Sequence, residues 1–502
     1  MPRQWWTVLF AVAIACGTGA DDAPSGSVGP GGAGGSAGEG GSGGVGGTGG
    51  GAGGGGAGGT GGGEGGSGGF DPTQPEEGED RPGGDLSVLG RGALAFTRPG
   101  ANLTLERRSS FTVGEGLFQA EWLATPVEQS NRGGLGPLFH ARSCLGCHVR
   151  NGRGAAPAPG ADHPASLLVR LGNAGAPHPV YGDQLQPLAV AGVPGEGRVL
   201  VEYQPIEGSF SDGAPFTLHA PSVRVADLSA GPLGDAPLSP RIAQPMIGLG
   251  LLAAIPDDAM EALADPDDRD GDGISGRINR VWSERLGGMV AGRFGWKANQ
   301  PDLEQQNAAA LVGDLGLTSP LYPAEPCTPA QTECLAARSK TIEIDERKLA
   351  ALTYYTHTIG VPIRDRAEDA DVLRGKAIFH RIACAKCHVP SFTTRDVVGL
   401  PEVSGQRIFP YTDLLLHDLG EALADGRPDF EASGREWRTP PLWGLGLAAD
   451  VDGTVRLLHD GRARSIEEAI LWHGGEAEAS REAFRTLPAD ERRALVDFLG
   501  SL

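Results

Sequence analysis

The stretch Ser465–His473 reads as an amphipathic helix. Ile466, Ala469, Ile470 and His473 recur at i, i+3, i+4 and i+7, with Glu467 and Glu468 between them. Ser465 and Glu468 form a capping box, so the helix is expected to start at Ile466 and to turn His473 toward a core. The chain closes on the same period, with Leu495, Phe498, Leu499 and Leu502 on one face of "PADERRALVDFLGSL". A further helix is expected from about Asp345, stopped by Pro362. "SLLVRL" and "GRVLVEY", inside Leu167–Val225, alternate with period two and predict a few short strands. The expected fold class is mainly α, with long irregular loops.

Two segments depart from this pattern. Arg3 followed by "WWTVLFAVAIA" and Cys16 reads as an export signal over 1–16, its apolar core too short to span a bilayer. Small residues before Cys16 and Gly17 after it resemble a lipobox, although Ala13 stands where Leu is usual. The implied location is periplasm or cell envelope, with a lipid anchor on Cys16; the alternative is ordinary cleavage. Residues 17–85 are dominated by Gly with Ser, Ala and Thr, then an acidic run, and cannot bury a core; they are expected to form a flexible tether.

The 502 residues carry a net charge of −21, which argues against nucleic acid and favours a cationic partner such as a small electron-transfer protein. Seven cysteines are too few for a disulfide scaffold. Four of them fall in two copies of C-x-x-C-H: Cys144, Cys147, His148 and Cys384, Cys387, His388. Thiols at that spacing add to the vinyl groups of haem, and the adjacent histidine reaches the iron. Zinc would bring its cysteine pairs closer together in sequence, and a redox dithiol has no use for a histidine after each pair. Two covalently bound haem c groups are therefore expected.

Phe379 precedes Cys384 as Phe139 precedes Cys144, and each follows a glycine, Gly375 in "GKAIF" and Gly136 in "GPLF". This predicts a repeated helix entering a haem site and resembles the first helix of class I cytochrome c domains. The last helix resembles the one that crosses it there. The implied organisation is two haem domains, 86–365 and 366–502.

The ligand opposite each proximal histidine decides the chemistry. "TPPLWGLG" through "HDGRARSIEEAILWH" is similar to the C-terminal part of bacterial di-haem cytochrome c peroxidases. Counted from His459, His473 occupies the place of their axial Met, so the resemblance implies a His388/His473 pair, with His417 in "LLLHDLG" as runner-up. The alternative for His473 is an ordinary core histidine. "GLGLLAAIP", "DGDGISGRIN", "GRFGWKANQ" and "PYTDLLLHDLG" resemble the di-haem oxidoreductase family from Leu86 to the C-terminus. The resemblance implies a peroxidase-like oxidoreductase, electrons entering at the second haem and a peroxide reacting at the first. The other readings are a di-haem electron carrier and an oxidase of a partner protein or organic substrate. His163, His219, Met246 and Met260 are unranked candidates for the remaining position at the first haem, and no catalytic acid or base is identified.

Asp268, Asp270 and Asp272 alternate before Gly273 as at the start of a calcium loop. Asn279 stands where an EF-hand needs Glu, leaving a looser calcium site or a solvated turn. Cys327 and Cys334 are a candidate disulfide in an oxidising compartment. Trp282 and Trp296, between the two haem motifs, would bridge them or simply fill core.

Overall fold

Six helices place the two C-x-x-C-H motifs: α1 (Leu105–Gln119), α2 (Leu303–Leu315), α3 (Glu346–Thr358), α4 (Ala370–Arg381), α5 (Ile466–Trp472) and α6 (Ala489–Leu499). This computed structural model describes residues 70–161, 166–172 and 176–502; the signal segment with Cys16, the tether up to residue 69, and His163 lie outside them. Residues 69–502 cluster as one unit.

Two helix pairs repeat one design. α4 and α6 cross at Gly375, where an added Cβ would lie 2.0 Å from Ala494 O and 2.6 Å from Phe498 Cβ. α1 and α3 cross at Gly114, where it would lie 2.2 Å from Ala351 O and 2.6 Å from Tyr355 Cβ. Only a residue without a side chain admits such contact. One turn beyond each crossing, Phe379 and Phe118 are buried at 1% and 2% exposure. The repeat is thus "GEGLF" at 114–118 with "GKAIF" at 375–379. This corrects the expectation that "GPLF" carries it: Phe139 is buried, but in a short strand, Leu138–Phe139, paired with Leu188–Ala189. The helix entering the first site lies further upstream, so spacing to the cysteines is a poor guide to the repeat.

The helix signals hold locally. Ser465 Oγ accepts from Glu468 N at 3.0 Å and starts α5 at Ile466; Asp345 Oδ1 accepts from Lys348 N at 2.8 Å and starts α3. α3 ends at Thr358, ahead of Pro362. Leu495, Phe498, Leu499 and Leu502 are all buried.

The strands form two-stranded pairs. β1 (Leu167–Arg170) pairs with β4 (Ser239–Ile242), and between them β2 (Arg198–Ser209) and β3 (Pro215–Ala226) make a hairpin. The hairpin strands, twelve residues each, are longer than the alternation suggests. Val199 and Val201 bury one face at its base against Trp296 and Trp437, while Phe210 and Leu218 near its tip join the α4/α6 core. Asp212 at the turn accepts from Arg492 on α6 at 2.8 Å. In exchange, Phe392, Leu415 and Trp443 join the core around α1 and α3.

Residues 70–85, assigned by composition to the tether, are folded. Glu79 is 1% exposed and bonds Lys376 Nζ on α4 at 2.7 Å.

Cys327 and Cys334 are joined in a disulfide seven residues apart. Changing either to Ser should lower the unfolding free energy by about 2–3 kcal/mol, the loop-closure entropy of so short a ring. Denaturant titration with and without reductant reads this; equal stability in both would refute it.

Candidate functional site

Each C-x-x-C-H motif borders a cavity. Cys384, Cys387, His388 and His473 line one of about 1390 Å³, mouth included. α5 stops at Trp472, and His473 caps it in extended conformation (φ −63°, ψ 133°), which swings the ring off the helix. Its Nδ1 lies 2.7 Å from Ala469 O, and His388 Nδ1 lies 3.1 Å from Tyr411 O. With each Nδ1–H donating to a carbonyl, Nε2 keeps a lone pair for iron. Burial, then the neighbouring His473, hold His388 down to about 4; burial lowers His473 as well. Both rings are neutral at pH 7, as ligation requires.

The geometry that presents His388 is built around a strained residue. Tyr411 has φ 53°, unusual for an aromatic side chain. Its hydroxyl donates to Glu79 Oε1 at 2.8 Å and its ring packs between Phe379 and Phe498. Phe379 lies 6.3 Å from the His388 ring.

His417 also faces this cavity, but both nitrogens are taken: Nε2 by Asp413 at 2.8 Å and Nδ1 by Glu476 at 2.7 Å. Burial disfavours its charge, yet Asp413 and then its other hydrogen-bonding partners outweigh this and hold it protonated well above the usual histidine range. His473 offers a free nitrogen and His417 does not. Arg153 and Arg438 line the same wall, both lowered to about 10 by burial, and Arg153 Nε is buried without a hydrogen-bond partner. Such cations suit carboxylate groups on an otherwise apolar ligand. A haem has that shape and chemistry, so the donor set fits it.

Cys144, Cys147 and His148 line the other cavity, about 1240 Å³. Ser143 Oγ accepts from Gly146 N at 3.1 Å and starts the short helix Cys144–Cys147. His148 Nδ1 lies 2.8 Å from Gln244 O, burial lowers its pKa, and Phe118 lies 6.1 Å away, matching Phe379 and His388. Among the candidates for the opposite position, Met246 lines this cavity. His219, on β3, lies 3.3 Å from Arg464, and Met260 is fully buried core away from the cavity. Gln306 and Asn307 of α2, with Asp314 near its end, supply polar side chains to the wall.

Trp296 lines both cavities, is 6% exposed, and donates from Nε1 to Ile242 O at 2.8 Å. Beside it Arg438 donates to Gln244 Oε1 at 2.9 Å, joining the second cavity to the residue that orients His148. Trp282 is 42% exposed and borders neither. Periodicity could not tell the two tryptophans apart. Gln244, Arg153 and Arg438 carry no sequence signal, whereas the glycine–phenylalanine spacing before each motif would have found Phe118.

Carboxylate oxygens of Asp268, Asp270 and Asp272 lie within 4.8 Å of one another. Asp272 pairs with Lys386, inside the second C-x-x-C-H, so a cation there would compete with that lysine. Asn279 is buried, its Nδ2 donating to Lys297 O at 2.7 Å, and takes no part. No helix among the described residues is long and apolar enough to cross a membrane.

A family model described as "Di-haem oxidoreductase, putative peroxidase" matches residues 79–176 and 226–502, most of the chain. No curated protein matches it.

Proposed function

This chain belongs to the di-haem oxidoreductase family, and we propose that it is an exported, peroxidase-like enzyme that reduces a peroxide in the first cavity with electrons entering at the second. When bound, two c-type haems supply one-electron storage and an iron at which an O–O bond is broken. Cys144, Cys147 and His148 would hold one; Cys384, Cys387, His388 and His473 the other. The observation that carries the reading is the asymmetry between the cavities. The second presents two half-buried, neutral histidines, each oriented by a carbonyl. The first presents one histidine, Met246 and the amides of Gln306 and Asn307. A closed pair suits electron transfer, and the more polar wall suits a small reactant. Trp296, shared by both walls, places a π-system between them. The surplus of acidic residues favours a cationic protein as electron donor.

The test is an EPR spectrum of the oxidised di-haem protein, repeated after partial reduction and again after peroxide. A high-spin ferric signal from one haem, lost on adding peroxide, is expected. Two low-spin signals that ignore peroxide in both states would make the protein an electron carrier.

A further inference from the structure

A third cavity of about 840 Å³ adjoins the first, and Arg170, Gln300 and Ala309 line both and so form the partition. Three side chains within it stand out: Gln184, Gln186 and Glu196, exposed by 5%, 3% and 2%. Gln184 Nε2 donates to Asp314 Oδ1 at 2.9 Å and Gln186 Nε2 to Gly313 O at 2.5 Å, which fixes the sense of each amide. The carbonyl oxygens of Gln184, Gln186 and Gln300 are buried and lack hydrogen-bond partners. Leaving such acceptors dry is costly, and this polar space has room for water to meet them.

Glu196 sits among them. Its Oε2 accepts from Gln186 N at 2.5 Å and its Oε1 from Gln331 Nε2. The other titratable groups on this wall are Arg170 and Asp183, paired with each other, Glu325, paired with Arg338, and Tyr181 and Tyr322. Burial outweighs the two N–H donors and pushes the Glu196 carboxyl up to about 8, so it carries a proton at neutral pH. Asp314, which bonds Gln184 on this side, lines the first cavity on the other. Gln184, Gln186 and Glu196 all fall in 177–225, between the two blocks matched by the family.

We infer that this chamber is a water-filled proton antechamber for the first cavity, with Glu196 as its relay residue and Gln184, Gln300 and Asp314 carrying the water chain across the partition. The inference rests on the peroxidase reading above. Splitting one peroxide into two waters breaks the O–O bond and consumes two electrons, from a reduced one-electron donor protein, and two protons. The first cavity must be supplied with those protons at each turnover, and this chamber is their route.

The test uses holo-protein carrying Glu196→Gln, which keeps the shape and removes the acid, beside Glu207→Gln at an exposed position of the hairpin. Infrared spectra of the native protein should show a carboxyl C=O band at pH 7 that shifts within seconds in D2O and titrates away near pH 8. Glu196→Gln should lack that band, and peroxide turnover should fall by about tenfold or more with KM unchanged. Glu207→Gln should match native in both. A buried structural carboxyl would give a band that does not exchange; that result, a missing band in the native protein, or full turnover in Glu196→Gln overturns the relay. If the native protein does not turn over peroxide, the peroxidase reading falls alone, and the exchange of the band still decides whether Glu196 passes protons.

Discussion

Replacing His473 by alanine is expected to turn the second haem from low-spin to high-spin, because the other two histidines lining that cavity besides His388 are held elsewhere, His459 being stacked on Trp437 at 3.8 Å beside Asp460. His417 is the nearest substitute in type, and Asp413 and Glu476 hold both its nitrogens. His473 itself is fixed by the bond to Ala469 O at 2.7 Å and by the end of α5, so its ring cannot simply be replaced by a shift of the helix. His473→Met should keep the iron six-coordinate and raise its potential, since a thioether stabilises the reduced state relative to imidazole. The rise should be on the order of 0.2 V, a part of the ~0.8 V range that axial ligands span. Optical and EPR spectra read the spin state, and a redox titration reads the potential. A second haem unchanged in both variants would remove His473 from the ligand set.

The largest effect on stability is expected at Glu79. It is buried with two cations, Arg364 and Lys376, and with the Tyr411 hydroxyl. Glu79→Ala leaves Arg364 inside without a counter-charge and Lys376 with only Glu76 at 3.3 Å, a change that costs about 3–5 kcal/mol. Glu77→Ala, at an exposed neighbour, should cost nothing measurable. The pH dependence has a definite sign. Burial raises the Glu79 carboxyl, but Arg364 and Lys376 outweigh it and the net shift is downward from 4.5. The unfolded state therefore binds the proton first, and the stabilisation is complete above pH 4.5 and drains away as pH falls through the lower folded value. Because Tyr411 O orients His388, the same acid transition should disturb the spectrum of the second haem. Unfolding curves of native and variant holo-protein from pH 7 to 3 measure both. A Glu79→Ala protein as stable as native at pH 7 would refute the network's role.

The residues that announce chemistry were legible because their signal is local. C-x-x-C-H must be contiguous to bridge one ligand, and a capping box spans a single turn, so both survive in the string of letters. Reading "GPLF" as the repeat failed for the opposite reason. Phe118 reaches His148 from a helix far upstream of Cys144, and only packing brings it to 6.1 Å. Residues 70–85 looked like tether because they are acidic and glycine-rich; Glu79 is held inside by two cations from distant positions, which composition does not register.

The sequence by itself determined the two C-x-x-C-H motifs proposed to hold haem, the capped helix that leads to His473, and membership of a family. The tertiary structure decided the rest: that Trp296 and not Trp282 stands between the cavities, that His417 is clamped by carboxylates while His473 is free, and that Met246 alone of the described candidates lines the first cavity. It also placed Glu196 in one cavity with Gln184, the partner of Asp314. Each of these is a relation between side chains on separate elements, set by which faces bury together, and no spacing along the chain encodes a distance across a core.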